Sequence, residues 1–385
     1  MSTRAPELDT ERQSLLAKIE DLKFGVDSTS WSPEIFDPCS PDGLLALTEL
    51  LNSGRVRSVR DNILEQLREL VTARDPQKSW TRENVCSAVD KKLQGKEPAF
   101  YGAWIFYPWS NDLVHLLPRD EYRELRSDRN RYKITRTEQN QLLGSYVGIV
   151  GLSVGNAAAV TLALEGIGGR FRLADYDSLS LSNLNRLRAG VSQLGINKTV
   201  LAAREMFEID PWLDIEIYSK GLQEDSVDAF ISGDSGKLNV VIEECDDIRV
   251  KLLVRERSRA QGVPVVMDTS DRGMLDVERF DAEPERALFH GLVGNLKSDD
   301  LDNLTERELL SVITKVIDPA RLSERAVQSL PEMGVTISGW PQLASGVALG
   351  GAIVAETARR ILLGQTAKSG RYYVDPAEVL ELGPK

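Results

Sequence analysis

The sequence predicts an α/β protein: a doubly wound mixed sheet with helices on both faces, preceded by a mostly helical N-terminal module. Three observations predict it. The 385 residues suit one large or two modest domains with ample volume for a core. A hydrophobic share of 42% with 28% charged residues is that of a folded globular chain, which excludes disordered and collagen-like classes. From Tyr146 onward, strand-length apolar runs alternate with helix-length segments, as repeated βα units require.

The first stretch, assigned to residues 1–125, has a different texture. Leu15, Leu16, Ile19 and Leu22 recur at helical spacing, and Val59, Ile63, Leu67 and Leu70 form a second stripe within residues 56–71. Between them the Pro- and Gly-punctuated residues 32–43 read as loop. Residues 81–93 read as a further helix, and 103–106 and 113–117 as short strands. Residues 126–385 carry the alternation. Strands are expected at 146–150, 170–174, 215–218, 238–242 and 263–267, and helices at 155–164, 197–208, 226–231 and 249–261. Residues 284–335 read as irregular helices and loops, and 340–363 as one long helix whose Gly346, Gly350 and Gly351 imply close packing.

Composition narrows the function classes. Forty-seven basic against 59 acidic residues leave a net charge of −12, unlike a nucleic-acid binder held by a basic face. Three cysteines without a CxxC pair, and two histidines, argue against a structural zinc site and a disulfide scaffold. The N-terminal residues lack the apolar stretch of a signal peptide. The longest run of apolar and small residues, 343–355, is shorter than the roughly 18 a membrane helix needs. A cytoplasmic protein with no membrane or nucleic-acid partner is the expectation.

The most informative segment is Gly151-Leu152-Ser153-Val154-Gly155, between a strand and a helix. As Gly-x-Ser-x-Gly it fits the nucleophile turn of a serine hydrolase, with Ser153 followed by Asp268 or Asp271 and then His290. As a glycine turn it points a helix N-terminus at a phosphate, with Asp175 placed to reach ribose hydroxyls, although Ser153 and Asn156 replace two of the usual glycines. The residues downstream of Asp175 support a third reading. Asp175-Tyr176-Asp177 leads to Ser182-Asn183-Leu184-Asn185-Arg186, and Lys198 then opens a helix.

This pattern resembles the nucleotide site of the ubiquitin-activating-enzyme-like adenylyltransferases (the ThiF, MoeB and HesA family), over roughly residues 129–375. Glu243-Glu244-Cys245-Asp246-Asp247 at a strand end and Gly339 to Ser345 before the long helix extend the resemblance. It implies a Rossmann-like fold and activation of a carboxylate, on a peptide, a protein or a small acid, as an acyl-adenylate at the expense of Mg-ATP. Carried over residue by residue, Arg186 and Lys198 would clamp phosphates, and Asp246 would hold Mg²⁺. Asp175, Asp177, Asn183 and the turn Gly151, Ser153 and Gly155 would hold the nucleotide. A homodimer is also implied, with Arg131 or Arg129 reaching across into the partner's site. Cysteine is absent after Cys245, so a thioester-forming cysteine of the ubiquitin-type activators has no counterpart here, nor do the zinc-binding CxxC pairs of the MoeB and ThiF branch. Adenylation alone remains, with residues 1–125 serving peptide recognition or dimer contacts. The alternatives are the Ser153 hydrolase and a non-catalytic nucleotide-binding partner subunit.

Overall fold

The computed structural model describes residues 11–19 and 28–381. They fall into two compact units, divided between Tyr122 and Arg123. The first holds α1 (residues 11–19), β1 (Glu34–Phe36), α2 (Pro41–Asn52), β2 (Ser58–Asp61), α3 (Ile63–Arg74), α4 (Arg82–Leu93), β3 (Ala103–Tyr107) and β4 (Asp112–Leu116). Its strands form one sheet in the order β1-β3-β4-β2. Phe36, Leu47, Leu50, Trp104, Phe106 and Leu113 pack as its core.

Two expectations need correction here. Residues 56–71 are not one helix: Ser58–Asp61 pair in parallel with β4, and the helix begins only at Ile63. Val59 is 54% exposed, so it does not belong to the buried stripe of Ile63, Leu67 and Leu70. Its coincidence with helical spacing misleads, because a short edge strand is defined by its distant partner. Residues 32–43 are likewise not all loop. Glu34–Phe36 pair with β3, and Pro41 opens α2 behind Ser40, whose hydroxyl accepts from the Gly43 amide. Leu22, the last residue of the first predicted helical stripe, lies outside the described residues.

The second unit carries the alternation. After α5 (Arg119–Arg126) and α6 (Arg136–Leu143) come β5 (Tyr146–Val150), α7 (Gly155–Glu165), β6 (Arg170–Ala174), α8 (Lys198–Ile209), β7 (Asp214–Tyr218), α9 (Val227–Ser232), the two-residue β8 (Gly236–Lys237), β9 (Val240–Glu243) and α10 (Ile248–Ala260). Next are β10 (Val265–Thr269), β11 (Met274–Glu278), α11 (Glu306–Ile317), α12 (Glu324–Ser329), α13 (Ala344–Leu362), β12 (Gly370–Tyr373) and α14 (Pro376–Glu381). The sheet runs β12-β11-β10-β9-β5-β6-β7. The five strands from β10 to β7 are parallel, and β11 and β12 are antiparallel additions, so the sheet is mixed as expected. β5 and β9 are buried along their whole length, the condition of strands covered on both faces.

The predicted long helix starts at Ala344 rather than Trp340. Pro341 pushes its predecessor out of helical geometry, and Leu343 is still extended at ψ 144°. Packing of α13 on α7 is close: a methyl group at Gly351 would lie 2.7 Å from the Ala157 backbone. Among the described residues no helix is long and apolar enough to cross a membrane.

Candidate active site

The chain runs outward from β5 to β6 and β7, then returns to place β9 on the other side of β5. The strand order therefore reverses between β5 and β9, and a crevice opens at the carboxyl ends of these strands, where doubly wound sheets receive ligands. A cavity of about 780 Å³ occupies this position, a volume in the ordinary range for small-molecule sites. Its wall gathers Gly151, Ser153, Asp175, Asp177, Asn183, Arg186, Lys198 and Asp246 from segments far apart in the chain. Lys220, Cys245 and Arg249, which sequence reasoning does not single out as ligand-binding, line it as well.

Each side chain has a local cause for its position. Gly151 adopts φ +83°, and a methyl group there would stand 2.5 Å from the Cys245 amide nitrogen, so the turn needs glycine on both counts. Asp175, at the end of β6, is buried and accepts from the Leu152 amide at 2.7 Å and the Asp177 amide at 2.8 Å. Burial raises its pKa, while the Lys198 charge and the two amides oppose that rise. Asn183 is buried within a short 3-10 helix, Leu181–Asn185, and its Oδ1 accepts from the Ser180 amide at 3.0 Å. Asn197 caps α8, and Lys198, the next residue, is only 5% exposed with its ammonium 2.7 Å from Asp177 Oδ2.

Arg186 is half-buried; its Nη1 donates to Asn185 Oδ1 at 2.9 Å, and its Nε has no partner among the described residues. Burial lowers the guanidinium's pKa, against the attraction of the Asp246 carboxylate. Asp246 is exposed at the cavity, leaving the N-cap of α10 to Asp247, whose carboxylate accepts from the Arg249 and Val250 amides. Among the described residues no three His, Cys, Asp or Glu side chains gather into a metal cage. One exposed carboxylate beside room for phosphates does fit Mg²⁺, which keeps few protein ligands.

One expected site residue stands apart, and the two arginines expected to act across a dimer lie outside this chain's own cavity. Gly155 begins α7 but does not line the cavity. Arg131 pairs with Asp128 at 3.2 Å, and neither Arg131 nor Arg129 contributes to this chain's own cavity wall. The hydrolase alternative lacks its base. His290 holds Asp276 at 3.0 Å through Nε2 and Arg286 at 2.8 Å through Nδ1, and Ser153 Oγ has no hydrogen-bond partner among the described residues. A serine nucleophile needs a histidine within about 3 Å. The other histidine, His115, is buried between Asp61 and the Tyr101 carbonyl.

Glu244, on the cavity wall, neighbours a second acid, Asp268, in a pairing that the sequence does not announce. Glu244 Oε1 accepts from the Asp268 amide at 2.9 Å, and both side chains are buried. Burial pushes Asp268 up to about 7 and Glu244 also upward, Glu244 further through its neighbour's charge. An unfolded aspartate ionises near pH 4, so folding retains a proton on Asp268 between about pH 4 and about 7. Stability from this proton is present at low pH and is lost as pH rises through that window. Asp268→Asn should therefore gain Tm relative to the parent as pH moves from about 5 to about 8. A difference that stays constant across that range in calorimetric melts would remove the protonated acid.

The model of the ThiF family matches residues 127–375, and the chain belongs to that family. It is 46% identical over 278 residues to an uncharacterised Mycobacterium tuberculosis protein, MT1398, an alignment covering 72% of this chain and 38% of that one. It is also 27% identical over 177 residues to the molybdopterin-synthase adenylyltransferase of Haemophilus influenzae, covering 46% of this chain and 67% of that enzyme. Among solved structures, Escherichia coli tRNA N6-threonylcarbamoyladenosine dehydratase in complex with ATP matches 63% of this chain and 95% of its own, at 18% identity and a TM-score of 0.45. This chain thus spans well under half the length of its Mycobacterium relative.

Proposed function

We propose that this chain is a Mg-ATP-dependent adenylyltransferase that activates a carboxylate as an acyl-adenylate. The observation that carries the reading is the convergence of Lys198, Arg186, Asp246 and Asp175 on one cavity at the strand-order reversal. A carboxylate is already ionised near neutrality, so its attack on the α-phosphate needs no general base. The obstacle is bringing an anion up to a polyanion, and fixed positive charge removes it. In this reading a carboxylate oxygen bonds to the α-phosphorus, the bond to the bridging oxygen breaks, and pyrophosphate leaves with that electron pair.

Arg186 offers a planar fork for two phosphate oxygens, and its unpartnered Nε is a donor in want of an acceptor. Lys198 supplies a point charge held in place by Asp177. Mg²⁺ would be held by Asp246 with phosphate oxygens and water completing its shell, and it would neutralise charge on the departing pyrophosphate. The Leu152 and Asp177 amides are already taken by Asp175, so that carboxylate shapes the turn and has only its remaining lone pairs for a ribose. The name of one relative, the molybdopterin-synthase adenylyltransferase, agrees with this chemistry. Arg131 or Arg129 of a second copy would complete the site from across a homodimer.

The test is isotope exchange between pyrophosphate and ATP with candidate acids, beside direct titration of ATP. Acid-dependent exchange is the expected result. A protein that binds ATP yet exchanges with no acid, even with lysates of its source as donor, would be a nucleotide-binding subunit instead.

A further inference from the structure

A second cavity of about 370 Å³ adjoins the first, and the two share Glu244, Cys245 and Asp246 as a common wall. Its other sides come from Val154 at the glycine turn, Met267 on β10, Ile313 and Val316 on α11, Leu322, and Trp340 ahead of α13. The body is therefore apolar. Its titratable groups are one-sided: among the described residues the acids Glu244, Asp246, Asp268 and Asp271 line it against one base, Lys251. That ammonium is already spent on Glu243, at 3.1 and 3.2 Å from its two oxygens. Asp271 is likewise engaged, accepting from the Ser323 amide and hydroxyl. Asp268 is not: at 5% exposure, neither of its carboxyl oxygens has a hydrogen-bond partner among the described residues.

We infer that this second cavity receives the body of the acid being activated, and that it selects a monocarboxylate whose apolar chain ends in a cationic group. The inference rests on the adenylation reading for the identity of the first cavity. An acid that reaches the α-phosphate must bring the rest of its structure with it. The shared wall gives that remainder a chamber with volume for about a dozen waters. Apolar sides reward a hydrocarbon spacer. The buried Asp268 carboxyl, without a donor among the described residues, rewards an ammonium or guanidinium at the spacer's end, which would draw the acid into its ionised form. A second carboxylate would gain no donor there and be repelled by the neighbouring acids. Specificity then comes as much from rejecting diacids as from welcoming cations.

Three six-carbon probes separate these terms: 6-aminohexanoate, hexanoate and adipate, each titrated calorimetrically into the protein with and without saturating AMP. The expected order of affinity is 6-aminohexanoate, then hexanoate, then adipate, with about tenfold or more between first and last. Ile313→Trp and Leu322→Trp, which fill the chamber from two different elements, should each weaken 6-aminohexanoate by about tenfold and leave AMP affinity within about twofold. Using both guards against one variant failing to fold. Adipate binding as tightly as 6-aminohexanoate, no measurable binding of any probe at millimolar concentration, or insensitivity to both tryptophans would each overturn the assignment. Absence of AMP and ATP binding would instead sink the adenylation reading, and the probe series without nucleotide would still report on the chamber.

Discussion

Lys198→Ala should lower acid-dependent pyrophosphate exchange by about 10²- to 10³-fold while the protein melts within a few degrees of the parent. Both halves come from geometry. The ammonium is almost fully buried at the head of α8, facing the cavity, with Asp177 as its near partner. Its charge is fixed where a triphosphate would concentrate negative charge, and low local solvation makes such a charge worth far more than in water. Loss of that partner leaves Asp177 with a side chain 51% exposed, free to take water in place of the ammonium, so the folding cost stays near that of a surface pair, about 1 kcal/mol or less. Asp175, whose carboxylate also feels the Lys198 charge, would rise in pKa in the variant. Exchange within about threefold of the parent would take Lys198 out of the phosphate clamp.

Arg255→Met should destabilise the fold by about 3–5 kcal/mol. Arg255 is fully buried and bridges two carboxylates, Glu243 and Glu278, each at 2.6 Å, while its guanidinium lies 4.0 Å above the Phe289 ring. Methionine keeps much of the volume but leaves Glu278 with no cationic contact in this cluster and Glu243 with Lys251 alone. An uncompensated buried carboxylate costs more than the bridge itself contributes, so the loss measures abandonment rather than attraction. Two consequences can be measured. Adding Glu278→Gln to Arg255→Met should recover a large part of the lost Tm. The deficit should also shrink at low pH, where the stranded carboxylates accept protons. Denaturant melts giving under about 1 kcal/mol for the single variant would mean that the site relaxes or hydrates freely.

The parts of the fold legible in the sequence are those that local pattern controls. β5, β6 and α7 emerge from apolar runs and a glycine turn, and the structure sets them within a residue or so of the expected bounds. β1 and β2 are not legible, since three- and four-residue strands are created by pairing with β3 and β4 and carry almost no periodicity of their own. At the site, Arg186, Lys198 and Asp246 enter through the family resemblance carried by the Ser182 to Arg186 and Glu243 to Asp247 segments, and all three line one cavity. Asp268 enters the sequence reading only as a partner for Ser153. Its pairing with Glu244 depends on β9 and β10 lying side by side, which no single segment encodes. A cue exists: Glu243-Glu244 close a strand whose preceding residues are all apolar, and carboxylates in such a place must find partners inside.

The clasp that Asp175 makes on the Leu152 and Asp177 amides has an outcome for encounter kinetics. Because the bend over β5 is pinned from within the protein, an arriving ligand meets a finished berth and spends little of its interaction energy on tidying the main chain. Association should accordingly run at a rate set by diffusion and charge steering rather than by a slow rearrangement, and cutting the clasp with Asp175→Ala should introduce a lag where none existed.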